Sequence, residues 1–183
     1  MPGWRAAALA LLLAMPAAPG LASSFALSSP DLGPGGRLGV RQELNIHGCT
    51  GGDVSPALRW RGAPAGTRRL ALVMFDRDAG GGRGWYHWSV LDLPASARGL
   101  PAGAGASGGH ALPKGARNGP NSFGFAAYGG PCPPPGPVHH YVFTLYALPR
   151  AGVGAGARDP AALAGELGRA AIGTARLVGV FGR

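Results

Sequence analysis

Apolar positions fall into short blocks separated by glycine and proline. Leu70–Phe75 (LALVMF) is apolar without a break, which predicts a central strand covered on both faces. After the glycine cluster Gly80–Gly84, Trp85-Tyr86-His87-Trp88 leads into a second strand at Ser89–Leu93, closed by Asp92 and Pro94. A third run, Tyr141–Leu148, begins directly after His139-His140, and Arg176–Phe181 forms a last strand. Leu58–Trp60 reads as a short strand. Arg37–Leu44 alternates loosely, with Leu38, Val40 and Leu44 on one side, and reads as an edge or half-buried strand. Asp159-Pro160 has the form of an N-cap followed by the first helical position, so a short helix runs to about Ala171, with Gly173 as its stop. Ser55-Pro56 is an extended or turn dipeptide with a cis bond open to it. Leu100–Asn121 is rich in glycine and alanine, lacks periodicity and reads as a long loop that walls a site. The sum is an all-β domain with minor α: an antiparallel sandwich or barrel with a short C-terminal helix, without repeats or a second domain.

The amino terminus differs from the rest. Arg5 precedes nine unbroken apolar residues, Ala6–Ala14, and the small residues Gly20-Leu21-Ala22 follow. That order describes a secretory signal peptide over residues 1–22, with the domain at 23–183. A retained anchor is the competing reading, but the run is well short of the roughly 20 residues a helix needs to cross a bilayer. No later segment could span one. The expected location is the periplasm or the medium.

Composition changes the picture in two places. The chain holds 34 glycines and 18 prolines spread between apolar runs, which marks many turns rather than disorder. It carries 17 basic against 8 acidic residues, a formal +9, and such a surface attracts anions. The arginines are scattered, with no basic run or aromatic-interleaved stripe, so nucleic-acid binding is set aside.

Cys49 and Cys132 are the only cysteines. An even pair in an exported chain reads as one disulfide; two thiols holding a metal is the alternative, although Cys-x-x-Cys spacing is absent. Cys132 sits in Tyr128–Tyr141, YGGPCPPPGPVHHY. Its prolines lack amide donors and its glycines permit close approaches, so the segment is a stiff loop delivering His139 and Tyr141 to a strand start. It is either one side of a site or a stapled surface turn. In an antiparallel hairpin the end of one strand and the start of the next share a rim. Asp76, at the exit of the first central strand, and His87, near the start of the second, therefore meet, and His139 joins them if its strand lies in the same sheet.

Four blocks carry a resemblance: GCTGGDVSPALRW, PAGTRRLALVMFDRDAG, GWYHWSVLDLP and YGGPCPPPGPVHHYVFTLYAL, in that order. Together they resemble the phosphatidylethanolamine-binding protein (PEBP) family, in its exported bacterial Raf-kinase-inhibitor-like branch, over about Gly48–Phe181. The resemblance implies a Greek-key β-sandwich and a non-enzymatic pocket for phosphate-like, phospholipid head-group or carboxylate anions. It implies a polar centre of Asp76, His87 and His139 with Tyr141 beside them, and walls and backbone donors from Trp85, Gly130, Cys132 and Pro134. It implies no cofactor. A small anionic ligand is the expected partner; modulation of a partner protein, such as a kinase or protease, is the alternative, and a homodimer is compatible with either. Asp76, His87 and His139 would also suit a two-histidine, one-carboxylate metal site or an acid–base hydrolase. Three departures from the family pattern stand out: Asp76-Arg77-Asp78-Ala79-Gly80 lacks the usual prolines, His140 replaces the usual arginine, and Phe181 replaces a tyrosine.

Overall fold

The computed structural model describes residues 24–183; the leader expected at 1–22 lies outside the described residues. Its strands are β1 (Ala26–Ser28), β2 (Leu58–Arg61), β3 (Arg69–Asp76), β4 (Trp85–Pro94), β5 (Gly99–Leu100), β6 (Arg117–Asn118), β7 (His139–Leu148) and β8 (Gly173–Phe181), with one helix, α1 (Pro160–Ala170), before the last. A five-stranded sheet has the order β6-β4-β3-β7-β8 and a three-stranded sheet the order β1-β2-β5. Every strand pairing is antiparallel.

The uninterrupted apolar run of β3 is explained by what covers it. Leu70, Leu72 and Met74 face the core between the two sheets, with Trp60, Trp88, Phe143 and Leu145. Ala71 and Val73 face the other way, into a cluster with Leu91, Leu148 and the helix residues Leu163 and Leu167. The architecture is thus small sheet, core, large sheet, second core and helix, and only a strand in the middle layer needs two apolar faces. The helix begins as its sequence predicts: Asp159 Oδ1 accepts from the Ala162 amide at 2.7 Å, with Pro160 at the first helical position. It ends differently. Ala171 turns extended and Gly173 opens β8 instead of capping the helix.

Other expectations need correction. Arg37–Leu44 is not a strand. The amides of Gln42 and Glu43 both donate to the Gly39 carbonyl, winding the chain into turns that bury Leu38 and Leu44 but leave Val40 66 % exposed. Among the described residues, the segment's one attachment to a sheet is an isolated bridge of Arg37 to Val180 of β8, where the Leu38 amide donates to the Val180 carbonyl at 2.9 Å. The 100–121 stretch is not wholly loop: Gly99–Leu100 and Arg117–Asn118 each add two residues to a sheet edge. Ser55-Pro56 is trans, as is every described peptide bond.

The proline-rich loop is tied to the early turns at several points. Cys132 is disulfide-bonded to Cys49. The Leu44 amide donates to the Pro131 carbonyl at 3.0 Å, the Gly130 amide to Asp53 Oδ1 at 2.7 Å, and the Tyr128 hydroxyl to the Gln42 carbonyl at 3.0 Å. Gly130 is required by this approach: a Cβ there would collide with the backbone of Gln42 and Leu44. A disulfide closing so long a loop is worth about 4–5 kcal/mol in the chain-entropy account. A thiol-counting assay on the natively folded protein is expected to find none free; two reactive thiols per chain would overturn the pairing.

Candidate functional site

Register brings the polar residues together. In the two pairings of β3, Asp76 stands opposite Trp85 of β4 and opposite Tyr141 of β7. Three strand ends therefore meet at one rim, the open end of the core between the sheets. Along β7, His139 continues the inward series Tyr141, Phe143, Leu145 and Ala147, and along β3 Asp76 continues Leu70, Leu72 and Met74. Both polar residues end an apolar stripe.

His87 reaches the same place by an irregularity. Met74 pairs with Trp88 but the next residue, Phe75, pairs with Tyr86, so His87 is the extra residue of a β-bulge. A bulge re-aims a side chain that regular alternation would send to the opposite face. Its neighbour Trp88 lies in the inter-sheet core, and His87 turns in beside it, 4 % exposed, with its ring edge-on to Tyr141 at 5.1 Å.

The hydrogen bonds fix much of the protonation. His87 Nδ1 lies 2.7 Å from the Gly129 carbonyl, which can only accept, so Nδ1 carries a hydrogen. Burial pushes the His87 ring towards its neutral form, only partly opposed by the Gly129 carbonyl and the nearby Asp76 charge. Asp76 Oδ2 takes His139 Nδ1 at 2.7 Å, while Oδ1 accepts from the amides of Asp78 and Ala79 at 2.9 and 3.2 Å. The carboxylate is thereby fixed in place and holds the His139 ring with Nδ1–H towards it and Nε2 away. Tyr141 is fully buried. Its hydroxyl has no hydrogen-bond partner among the described residues, and burial together with the Asp76 charge raises its ionisation far beyond the usual phenol range.

A cavity of about 450 Å³ opens at this rim, within the size range of small-molecule sites. Asp76, His87, His139, Trp85, Cys132 and Pro134 line it, as do Leu44, His47, Asp78, Phe123, Pro133 and the Ala79–Gly81 turn. Two expected site residues do not. Gly130 is buried, and its amide is spent on Asp53 rather than offered to a ligand. Tyr141 lies beneath the floor, against His87. The 100–121 stretch supplies no wall; Phe123 and His47 do. The His47 ring stacks on Phe123 at 6.4 Å, and Phe123 meets Trp85 edge-on at 5.4 Å. His140 is turned aside: its amide and Nδ1 both bond Asp78 Oδ2, at 2.6 and 2.8 Å. His140 and Arg77 outweigh the slight burial of Asp78 and hold its carboxyl below the usual range. Phe181 stands opposite His139 on β8 and packs against the core. Among the described residues no group of three or more His, Cys, Asp or Glu is disposed to hold a metal ion, so the alternative reading of Asp76, His87 and His139 as a ligand set is not supported by their geometry.

A profile of the family described as Phosphatidylethanolamine-binding protein matches residues 28–182. The UPF0098 protein YbcL of Escherichia coli K12 is 39 % identical over 162 residues, covering 87 % of this chain and 88 % of its own. YbhB of the same organism is 43 % identical over 122 residues, covering 67 % and 77 %. The crystal structure of E. coli YbcL, described as a new member of the mammalian PEBP family, superposes with a TM-score of 0.82 at 38 % identity, covering 88 % of this chain and 99 % of that one. The homologue CT736 of Chlamydia trachomatis gives a TM-score of 0.68 at 25 % identity over 87 % and 98 % of the two chains. A profile match across almost all of the described residues, a relative similar over nearly its whole length and the shared sandwich lead to one conclusion: the chain belongs to the phosphatidylethanolamine-binding protein family.

Proposed function

We propose that the chain is a binding protein, not a catalyst, and that its cavity receives a small oxyanion: phosphate, a phosphorylated small molecule or head group, or a carboxylate. The observation that carries the reading is the pair of anchored imidazoles. His87 is held by the Gly129 carbonyl and His139 by Asp76, each through Nδ1, and both rings line one cavity. Anchoring removes the conformational freedom that a side chain otherwise loses on binding. A bound anion favours the protonated form of a ring beside it, against the burial that holds His87 towards neutral, and the imidazolium then donates a hydrogen bond and brings the opposite charge. The aromatic wall of Trp85 and Phe123 gives the organic part of a ligand an apolar surface. Among the described residues, none that lines the cavity carries a free hydroxyl or thiol, since Cys132 is joined to Cys49, which supports binding over covalent catalysis.

The disulfide supports an exported life, since such bonds persist in oxidising compartments. Processing near Ser23 follows from that reading. The intact mass of protein taken from the periplasm or medium is expected to correspond to a chain lacking about the first 22 residues; a full-length mass there would overturn it.

Calorimetric titration with inorganic phosphate and phosphoethanolamine tests the anion reading. Wild type is expected to bind, and His139→Ala and His87→Ala to bind at least about tenfold more weakly, the loss of one charge-assisted hydrogen bond. Equal affinity of wild type and both variants would refute the site.

Protonation of His87 also enters stability. Its folded pKa lies below the unfolded value of about 6.5 because burial disfavours the charged ring. Between the two values the unfolded chain holds more protons, so this contribution is complete above about pH 6.5 and is lost as pH falls through the folded value. The urea midpoint of wild type is expected to drop between pH 7.5 and pH 5, and His87→Gln to drop less. Equal drops would show that the buried ring is not the group responsible.

A further inference from the structure

A loop built of prolines has few handles. Residues 133–138 read PPPGPV, so only Gly136 and Val138 carry a backbone N–H. Proline fixes φ, but it leaves ψ free and removes the donor that would tie the segment to a neighbour. Such a loop has to be held through its carbonyls, by donors from elsewhere. Pro133 and Pro134 line the cavity, so the hold on them sets the position of its wall. The segment is anchored at its two ends, by the Cys49–Cys132 disulfide before it and by the start of β7 after it. Between those ends it takes part in one hydrogen bond among the described residues: Arg183 Nε donates to the Pro133 carbonyl at 2.8 Å.

Register delivers that arginine. β8 runs antiparallel to β7 with Phe181 opposite His139, so the residues after Phe181 run back along those before His139. Gly182 passes Val138 so closely that a Cβ on it would come within 2.8 Å of the valine Cγ1. Arg183 then reaches both sides of the disulfide. Its Nε holds Pro133, and its Nη1 donates to the Gly48 carbonyl at 3.1 Å. Gly48 lies between Cys49 and His47, and His47 also lines the cavity.

We infer that Arg183 is a positioning residue of this site: its guanidinium braces the proline wall against the turn at His47, so that the cavity holds its shape before a ligand arrives. The inference rests on the anion reading above and deepens it. Arg183 is not among the residues that line the cavity, so it acts through Pro133 and Gly48 and not by touching the ligand. The disulfide does not make the brace redundant. It fixes the loop at Cys132 and leaves the residues beyond it to swing about that point. A guanidinium suits the task because it is planar and always charged, with N–H groups that point in fixed directions. Two carbonyls can therefore be held at a set distance and angle. A lysine ammonium is a point charge on a flexible stem and sets neither.

The test uses the intact, disulfide-bonded protein. Inorganic phosphate and phosphoethanolamine are titrated by calorimetry into wild type, Arg183→Ala and Arg183→Lys, and the urea midpoint of each protein is measured alongside. A wall that must be ordered as the ligand arrives costs affinity, so Arg183→Ala is expected to bind both probes about three- to tenfold more weakly. Arg183→Lys is expected to stay closer to the alanine variant than to wild type. Backbone nitrogen relaxation reads the brace without a ligand: the Gly136 and Val138 amides are expected to gain nanosecond motion in Arg183→Ala. Unchanged affinity in Arg183→Ala overturns the positioning role even where the urea midpoint falls, because a contact that only stabilises the fold would move the midpoint alone. Full recovery by lysine overturns it too, since charge would then suffice. Identical relaxation in wild type and Arg183→Ala overturns the brace itself, with or without a ligand. Failure of wild type to bind either probe overturns the anion reading instead, and the relaxation comparison still decides whether Arg183 holds the wall.

Discussion

Antiparallel pairing on both sides of β3 is the constraint from which the site follows. A strand flanked by two antiparallel neighbours ends where both of them begin. Asp76 closes β3, so the starts of β4 and β7 must lie beside it, and with them His87 and His139. The same strand is apolar on both faces because it is the middle of the middle layer. Burial fixes its register, since a slip of one residue would carry Leu70, Leu72 and Met74 out of one core and into the other. One packing requirement thus sets both the stability of the sandwich and the position of its polar end.

Two further devices turn a rim into a cavity. The bulge at His87 swings one imidazole inward without disturbing Trp88 beneath it. The ties between the proline-rich loop and the 39–54 turns then raise a wall over it. Cys49–Cys132, Asp53 to the Gly130 amide and Tyr128 to Gln42 all join the same two segments. Asp53 itself takes positive φ, and burial raises its carboxyl above the usual range against the pull of the Gly130 amide. A strained, partly desolvated acid is costly. It holds the glycine loop in place, a structural use that explains why Gly130 does not face the cavity.

The sandwich and the meeting of Asp76 with His87 were legible because they depend on long periodic segments and on hairpin geometry, both local or nearly so, whereas His139 joins them through the distant β3–β7 pairing, which the sequence left conditional. What escaped was set by distant contacts. Leu38, Val40 and Leu44 have the spacing of a strand, but Gly39 accepts two amides and curls the segment into turns. His47 has positive φ and a polar neighbourhood in sequence, and nothing near it names a role. The disulfide contained the missing signal, since a residue two positions before Cys49 is carried to the loop of Cys132. Phe123 gave no local sign; its place follows from Ser122, whose amide reaches the Tyr86 carbonyl and whose hydroxyl accepts the Tyr86 amide. Tyr141 was placed on the right strand, but alternation could not say that its ring would lie under the floor.

The charge of the molecule and the charge of the cavity argue in different directions. The whole chain is +9, yet no lysine or arginine lines the cavity among the described residues, while Asp76 and Asp78 do. A guanidinium at the rim would bind anions of any protonation state through charge alone. His140 stands where the family pattern has an arginine, and its ring is bound to Asp78 instead. The surrounding arginines then serve at long range, raising the local concentration of anions in a manner that salt screens. What stands at the cavity floor is a pair of imidazoles, each anchored through Nδ1, whose direction is set by hydrogen bonds that ionic strength does little to weaken.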